Sequence, residues 1–458
     1  MFATQVIQDF LNRVEDVDPA STPPANASFL DIAESWRTSG IRPGDVILFC
    51  LPNGKILLEH FFAAMAAGAV PALVGPSTPS ARLKELVAAL NPAAILSLRP
   101  MPADLGASPS QTIGGARVSR FIPEVPAGAQ GEVILLTSGT SGFASGCVHD
   151  FNSLILNAER HAQSIGQRND DAILVSLPLY FSYALVAQAL ASLVRGNRLI
   201  IGGPPFHVPT YLNSLSRFGV TISSLTPVLI GSLLQSGASL PNELRVLTVG
   251  GDSLAPATVE ELIRRRPDQE LYLTYGLTQC GPRVSTLAAH AEPKARYSSV
   301  GLPLAGTSVR LEEVPGSAGL TQLFVSSATV MKRRIGIHEI GLQNGSPCAE
   351  TVATGDIFTQ DEQGYLYFRG RLSDYIVRHG EKVCLAAVRR VAMRFPNVLR
   401  ATTPVSKHDY GEDFDLVLDI TGVEAHYDVL LRSWLRRSEM PRAIRVVNRQ
   451  DSQLAAYK

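Results

Sequence analysis

Cysteine, net charge and long apolar runs are all scarce in this 458-residue sequence. Its five cysteines (Cys50, Cys147, Cys280, Cys348 and Cys384) are odd in number and widely scattered. No two have metal-ligand or redox spacing, which argues against a disulfide scaffold or a cysteine zinc module and for reduced thiols. Basic and acidic residues number 41 each, so the formal net charge is zero. A nucleic-acid or membrane-surface partner usually leaves a basic excess, and none is expected here. The longest uncharged apolar stretch, "FFAAMAAGAVPALVG", is broken by Gly68 and Pro71. It falls short of the ~20 residues that a membrane helix needs. The opening "MFATQVIQDFLNRVED" carries acids early and has no continuous apolar core, unlike a signal peptide. A soluble, cytoplasmic protein is the expectation.

Hydrophobic residues make up 45% of the chain and charged residues 18%, enough for two or three domains with a large buried core. Strand-like apolar runs alternate with helical patterns over most of the length. "DVILFCLP", "VPALVG" and "AILSL" read as strands separated by the helices "GKILLEHFFAAMAAG" and "SARLKELVAALN". The alternation resumes through "AILVSLPL", "NRLIIGG", "VTISSLTP" and "LRVLTVGG", predicting an α/β fold with covered sheets. Near Gly301 the pattern changes to short strands between Gly/Pro turns, so a β-rich subdomain is expected over about 297–370. Residues 371–458 then form a separate segment with 15 Lys+Arg against 11 Asp+Glu. The predicted division is a core at 1–370 and a small α+β cap at 371–458, joined by a short hinge.

The stretch "LLTSGTSGFASG", Leu135 to Gly146, packs small hydroxyl and glycine residues directly after an apolar run. Successive backbone N–H groups in such a loop can form an anion-binding nest, to which Ser and Thr hydroxyls add donors. No Gly-Lys-Ser/Thr follows, so it is not a Walker loop. By itself it reads equally well as a plain surface loop. Further along stand "VGGDSL", "YGLTQ" (Tyr275 to Gln279), "SSVGLPLAG", "TGD" (Thr354 to Asp356) and "GRLSDYIVRHGEKV".

In this order and spacing, these motifs resemble those of the adenylate-forming enzymes, the superfamily of acyl-CoA synthetases, luciferases and peptide-synthetase adenylation domains. The resemblance covers nearly the whole chain, including the opening segment "IRPGDVILFCLPNG". It implies a large N-terminal domain of two α/β sheets plus a small β-barrel, with a C-terminal cap that moves between two half-reactions. It also implies ATP and Mg²⁺ as cofactors. A carboxylate would attack the α-phosphate, releasing pyrophosphate, and a carrier-protein thiol, CoA or an amine would then take the acyl group.

Carried over residue by residue, the resemblance assigns Thr137, Ser138, Gly139, Thr140, Ser141 and Gly142 to the β,γ-phosphates. Tyr275 and Gly276 would border the adenine, and Thr278 the α-phosphate. Gly250 and Gly251, followed by Asp252, would line the adenine and acyl sites. Asp356 would take the ribose hydroxyls, and Arg371 the ribose or α-phosphate. Lys458, the last residue, falls in the register of the lysine that bridges carboxylate and α-phosphate, and reads equally as a solvated tail.

The departures are specific. The phosphate-loop lysine is replaced by Ser145, which implies slower adenylation. The acid that faces Mg²⁺ is Gln279, whose neutral amide attracts a divalent ion less strongly. The hinge position is Ser373, and Val377 stands where a lysine is expected. For the acid itself, Phe181, Ser182, Tyr183, Thr226, Pro227, Gly251, Gly276 and Arg283 are the expected pocket. Ser182 replaces the Asp that pairs an α-amino group, so an aromatic or cyclic non-amino acid is expected. Arg283 has two open readings, a partner for a polar substituent on the substrate or a structural ion-pair residue. An active ligase is the primary expectation and a degenerate homologue that binds nucleotide without turnover is the alternative. Monomer and homodimer stay open.

Overall fold

The computed structural model describes residues 3–19, 27–102, 105–108, 111–137, 145–315, 319–336, 351–378, 381–408, 411–435 and 437–448. These residues fall into two compact units. The first is Met1–Val309 with Val325–Val352, and the second is Arg310–Phe324 with Ala353–Lys458. Residues 353–370 of the β-rich segment therefore group with the C-terminal unit.

Two eight-stranded sheets dominate the first unit. One runs, in spatial order, Val14–Asp16, Arg198–Ile201, Ala172–Val175, Ile222–Leu225, Val246–Gly250, Glu270–Gly276, Arg283–Ala288 and Leu302–Pro303. Its first six strands are parallel and the last two antiparallel. The parallel members are short runs such as "AILV" and "RLII", as expected of strands covered on both faces. The second sheet centres on the parallel strands Ala94–Ser97, Val46–Cys50, Val70–Leu73 and Glu132–Thr137. In Val46–Cys50 every residue is buried. Ile47 and Phe49 join one core cluster while Val46, Leu48 and Cys50 join another, the period-two alternation of a strand between two layers.

The larger cluster draws residues from both sheets and from helices Phe29–Thr38, Lys55–Ala66 and Phe151–Ser164. Trp36, Phe61 and Phe62 are among its largest fully buried side chains of helical origin, each worth about 1.5–3 kcal/mol of transfer free energy. Local signals start these helices. Ser28 and Asp31 form a reciprocal capping box, and the Asp150 carboxylate accepts the N–H of Asn152.

At the amino ends of the parallel strands, Arg245 is an ion-pair clamp. It donates to Asp171 at 2.7 Å and to Glu270 at 2.8 Å. Asp171 is buried and also accepts from Thr221 Oγ1 and the Arg168 N–H. Four neighbouring strands are thus tied where each begins, leaving their carboxyl ends for other work.

The β-rich segment supplies a sheet of Thr307–Glu313, Thr321–Ser327, Thr351–Gln360 and Leu366–Arg371. The second unit has its own core around Phe414, Leu416, Leu418 and Val388, beside the sheet Val398–Thr402, Leu416–Ile420 and Ile444–Asn448. Among the described residues no helix is long and apolar enough to cross a membrane. Cys50, Cys147, Cys280 and Cys384 are thiols rather than disulfides, as expected.

Three histidines are buried in the first unit. Burial pushes His60 and His149 down to about 4 and His161 well below its usual value. Each is neutral in the fold and binds a proton near pH 6.5 once unfolded, so their contribution is complete above about pH 6.5 and is lost as pH falls toward 4. Each contributes up to about 1.4 kcal/mol per pH unit in that window. The thermal midpoint should therefore fall steeply between pH 6.5 and 4.5, by calorimetry, and a flat profile would contradict the burial of these rings.

Candidate active site

The expected pocket residues gather at the carboxyl ends of adjacent parallel strands, the edge where open α/β sheets bind ligands. Ala172–Val175 leads into Phe181, Ser182 and Tyr183. Ile222–Leu225 leads into Thr226 and Pro227, Val246–Gly250 into Gly251 and Asp252, and Glu270–Gly276 into Thr278. The Ser182 and Thr278 hydroxyls lie 3.1 Å apart. The Tyr183 hydroxyl meets Thr248 Oγ1 at 3.0 Å, and Thr248 donates to Ser224 at 2.8 Å. Phe181 packs on Tyr180 with ring centroids 4.7 Å apart. Beyond Ala184 the helix widens into a π-helical stretch, Leu185–Leu190, a distortion common near functional sites.

Two glycines allow this close approach. A Cβ on Gly250 would overlap Thr274 Oγ1 and come within 3.2 Å of the Tyr183 ring. One on Gly276 would overlap the Pro282 carbonyl oxygen. Gly276 pairs with Arg283 across an antiparallel turn, with a register shift between Tyr275 and Gly276. Gly251 stands beside Thr226, whose methyl would lie 3.7 Å from an added Cβ. Asp252 is exposed and accepts the N–H of Ser253. Tyr275 is half-buried, and Gln279 uses its carbonyl to accept the Met331 N–H at 2.8 Å.

Other expected residues lie elsewhere. Thr137 and Ser145 are paired across the antiparallel strands Glu132–Thr137 and Ser145–Asp150, so the ends of the Ser/Thr/Gly loop are held together. Ser138, Gly139, Thr140, Ser141 and Gly142 lie outside the described residues, as does Lys458. In the second unit, Asp356 is buried and 3.4 Å from Arg371, its cross-strand partner. Ser373 is exposed in a short turn, Leu372–Asp374, where the Arg371 N–H donates to Asp374. Val377 lies on the strand Tyr375–Arg378.

Arg283 bears on both readings offered by its sequence. It is only 3% exposed and forms no ion pair among the described residues. Its guanidinium stacks over the Tyr183 ring, 3.6 Å from the centroid. Its Nε and Nη2 have no hydrogen-bond partner. Burial lowers its pKa, yet arginine stays cationic at neutral pH. A desolvated cation–π contact is worth about 2 kcal/mol, less than the several kcal/mol cost of burying an unpaired charge.

Two residues of the site were missed by sequence reading. His149 donates Nε2–H to the Thr278 carbonyl at 2.9 Å, linking one sheet to the other. Asn157 accepts the Arg283 N–H at 2.9 Å and donates to the Arg283 carbonyl at 2.9 Å. A single His in "GCVHD" and an Asn on a helix face carry no local signature, because both act on backbone far away in sequence.

The profile of the family described as "AMP-binding enzyme" matches residues 26–333. The chain belongs to the AMP-binding enzyme family. A 2-succinylbenzoate–CoA ligase of Bacillus licheniformis is 29% identical over 276 residues, which cover 58% of this chain. The match spans only 55% of that ligase's own length. The o-succinylbenzoate CoA synthetase of Bacillus subtilis, solved with the acyl-adenylate intermediate OSB-AMP, superposes with a TM-score of 0.77. It is 20% identical, with 98% of this chain and 96% of that one covered. The same synthetase with ATP and magnesium gives 0.75 at 21% identity, with 92% and 89% covered. These structures share the expected adenylate-forming fold of α/β sheets.

This AMP-binding enzyme's site suits a nucleotide by its donors: paired hydroxyls at Ser182 and Thr278, and a strand-end glycine backbone free of side chains. For a divalent ion the described residues offer no group of three His, Cys, Asp or Glu. The Gln279 amide is the neutral contact available at the expected position. Gly276→Ala should force apart the turn that pairs Gly276 with Arg283, at about 2–3 kcal/mol. Urea unfolding should show that loss, and a variant as stable as the parent would mean the turn relaxes freely.

Proposed function

We propose that this chain is an AMP-forming acid ligase that activates a carboxylic acid with ATP and passes the acyl group to CoA. The observation that supports it best is the convergence of Ser182, Tyr183, Gly250, Gly276 and Thr278 on one sheet edge in a chain of the AMP-binding enzyme family. A similar protein points the same way: the Bacillus subtilis synthetase was solved both with ATP and magnesium and with an acyl-adenylate.

In this reading a carboxylate oxygen attacks the α-phosphorus, and the bond to the bridging oxygen breaks to release pyrophosphate. The thiol sulfur of CoA, its proton lost to solvent or base, then attacks the acyl carbon and AMP leaves. Both first-step reactants are anions, so their alignment and charge neutralisation dominate the barrier. Thr278 donates to the α-phosphate and is held in place by the His149 hydrogen bond to its carbonyl. Tyr275 borders the adenine, and the loop from Thr137 to Gly142 offers N–H donors to the outer phosphates. Asp356 takes the ribose hydroxyls and Arg371 the ribose or α-phosphate, within a core at 1–370 and a cap at 371–458 hinged at Ser373. Lys458 bridges carboxylate and phosphate. Mg²⁺, where bound, would neutralise triphosphate charge, and the Gln279 amide oxygen would be its contact from this chain. The substrate is an aromatic or cyclic non-amino acid, since Phe181 and Tyr183 contribute aromatic walls and Ser182 brings no charge. Ser145 and Gln279 both remove charge that the phosphates would use, which favours a slow enzyme and keeps a non-catalytic nucleotide binder as the second reading.

ATP–pyrophosphate exchange with Mg²⁺ across aryl, cyclic, fatty and amino acids tests this. Exchange dependent on one non-amino class is expected, followed by thioester formation with CoA. Lys458→Ala and Thr278→Ala should each lower exchange by about 10²-fold while ATP affinity changes little, because the lost contacts form chiefly in the transition state. ATP binding by calorimetry with no exchange on any acid would leave the binder reading.

A further inference from the structure

We infer that Arg283 is an anion-binding residue of the acyl pocket and that the acid this protein activates carries a second carboxylate. The inference rests on the ligase reading above, which it narrows to dicarboxylic acids.

The argument begins with an imbalance. Arg283 is 3% exposed, its guanidinium stacks on the Tyr183 ring, and its charge is felt by the buried His161. The ring offers a negative face but no full charge. His161 is completely buried and neutral, and its two ring nitrogens also lack hydrogen-bond partners. Asn157 spends its amide on the Arg283 backbone rather than on the guanidinium. Among the described residues no carboxylate pairs with this cation, whereas Arg245, Arg333, Arg389 and Arg442 each have an acid within 3.1 Å. A buried cation without a counter-ion is poorly suited to a purely structural role, because an apolar side chain of similar size would be more stable there.

Location supplies the rest. Tyr183, on which the guanidinium stacks, has its ring against Gly250 and its hydroxyl on Thr248. Gly276 pairs directly with Arg283, and Thr278 lies two residues beyond Gly276. The unpaired Nε and Nη2 therefore belong to a side chain on the strand paired with Gly276, stacked on the Tyr183 ring beside the candidate acyl site. Two N–H groups on one planar edge of a guanidinium match the two oxygens of a carboxylate, which a monocarboxylic acid cannot supply once its own carboxylate is at the phosphate. A second carboxylate on the substrate supplies the missing charge and binds in a site built before it arrives.

The test compares matched pairs of acids: butanoate with succinate, hexanoate with adipate, and 4-oxo-4-phenylbutanoate with 2-succinylbenzoate. In ATP–pyrophosphate exchange the diacid of at least one pair should exceed its monoacid by about 10²-fold or more in kcat/KM, as expected for a buried charge-assisted pair. Arg283→Met should collapse that ratio by about 10²-fold, and Arg283→Lys should restore part of it. Equal use of both members of every pair, or a ratio unmoved in Arg283→Met, overturns the inference. If no acid supports exchange, the ligase reading fails and thermal denaturation decides the site separately. One of the diacids at 10 mM should raise the midpoint of the parent by about 2 °C or more and leave Arg283→Met unchanged. Absence of any such shift overturns the anion site. Arg283→Gln serves for both arms if the methionine variant does not fold.

Discussion

Parallel register is the constraint on which the rest of this molecule depends. Four strand ends must finish side by side for Ser182, Thr226, Gly250 and Thr278 to face one another, and Arg245 secures that register at the opposite edge. The division of labour is physical. Ion pairs at the amino ends cost the site nothing, whereas the same charges at the carboxyl ends would compete with any anionic ligand. Stability and chemistry are thereby placed at opposite edges of one sheet, and the apolar strands between them transmit the alignment.

The site edge is built largely from backbone and hydroxyls. Gly250 and Gly276 admit neighbouring atoms where any Cβ would collide, and Asn157 and His149 hold the chain between Thr278 and Arg283 from the far side. Such a site has few titratable groups of its own. Arg283 is the buried cation on the strand beside it.

Much of the fold was legible in the chain. The strands at "DVILFC", "AILV" and "LTVG" and the helices between them follow apolar periodicity and appear where expected. The phosphate-type loop, "YGLTQ" and "TGD" could be recognised because each packs its chemistry into a few consecutive residues. The grouping of Ala353–Gly370 with the C-terminal unit was not legible, since strand patterns do not reveal which neighbour a strand will pair with. Nor were His149 and Asn157, whose bonds to Thr278 and Arg283 reach backbone more than a hundred residues away.

Arg283 marks the boundary between the two sources of information most clearly. Its sequence context, "CGPRVS", was compatible with a substrate contact or an ion pair. Periodicity, composition and local motif determined by themselves the α/β class, the family resemblance and the positions of the glycine and hydroxyl motifs, because those depend on neighbours within a turn or two. Whether a buried cation has a counter-ion depends on what every packed element brings to it. Only the tertiary structure decided that Arg283 stacks on Tyr183 and that no carboxylate among the described residues pairs with it.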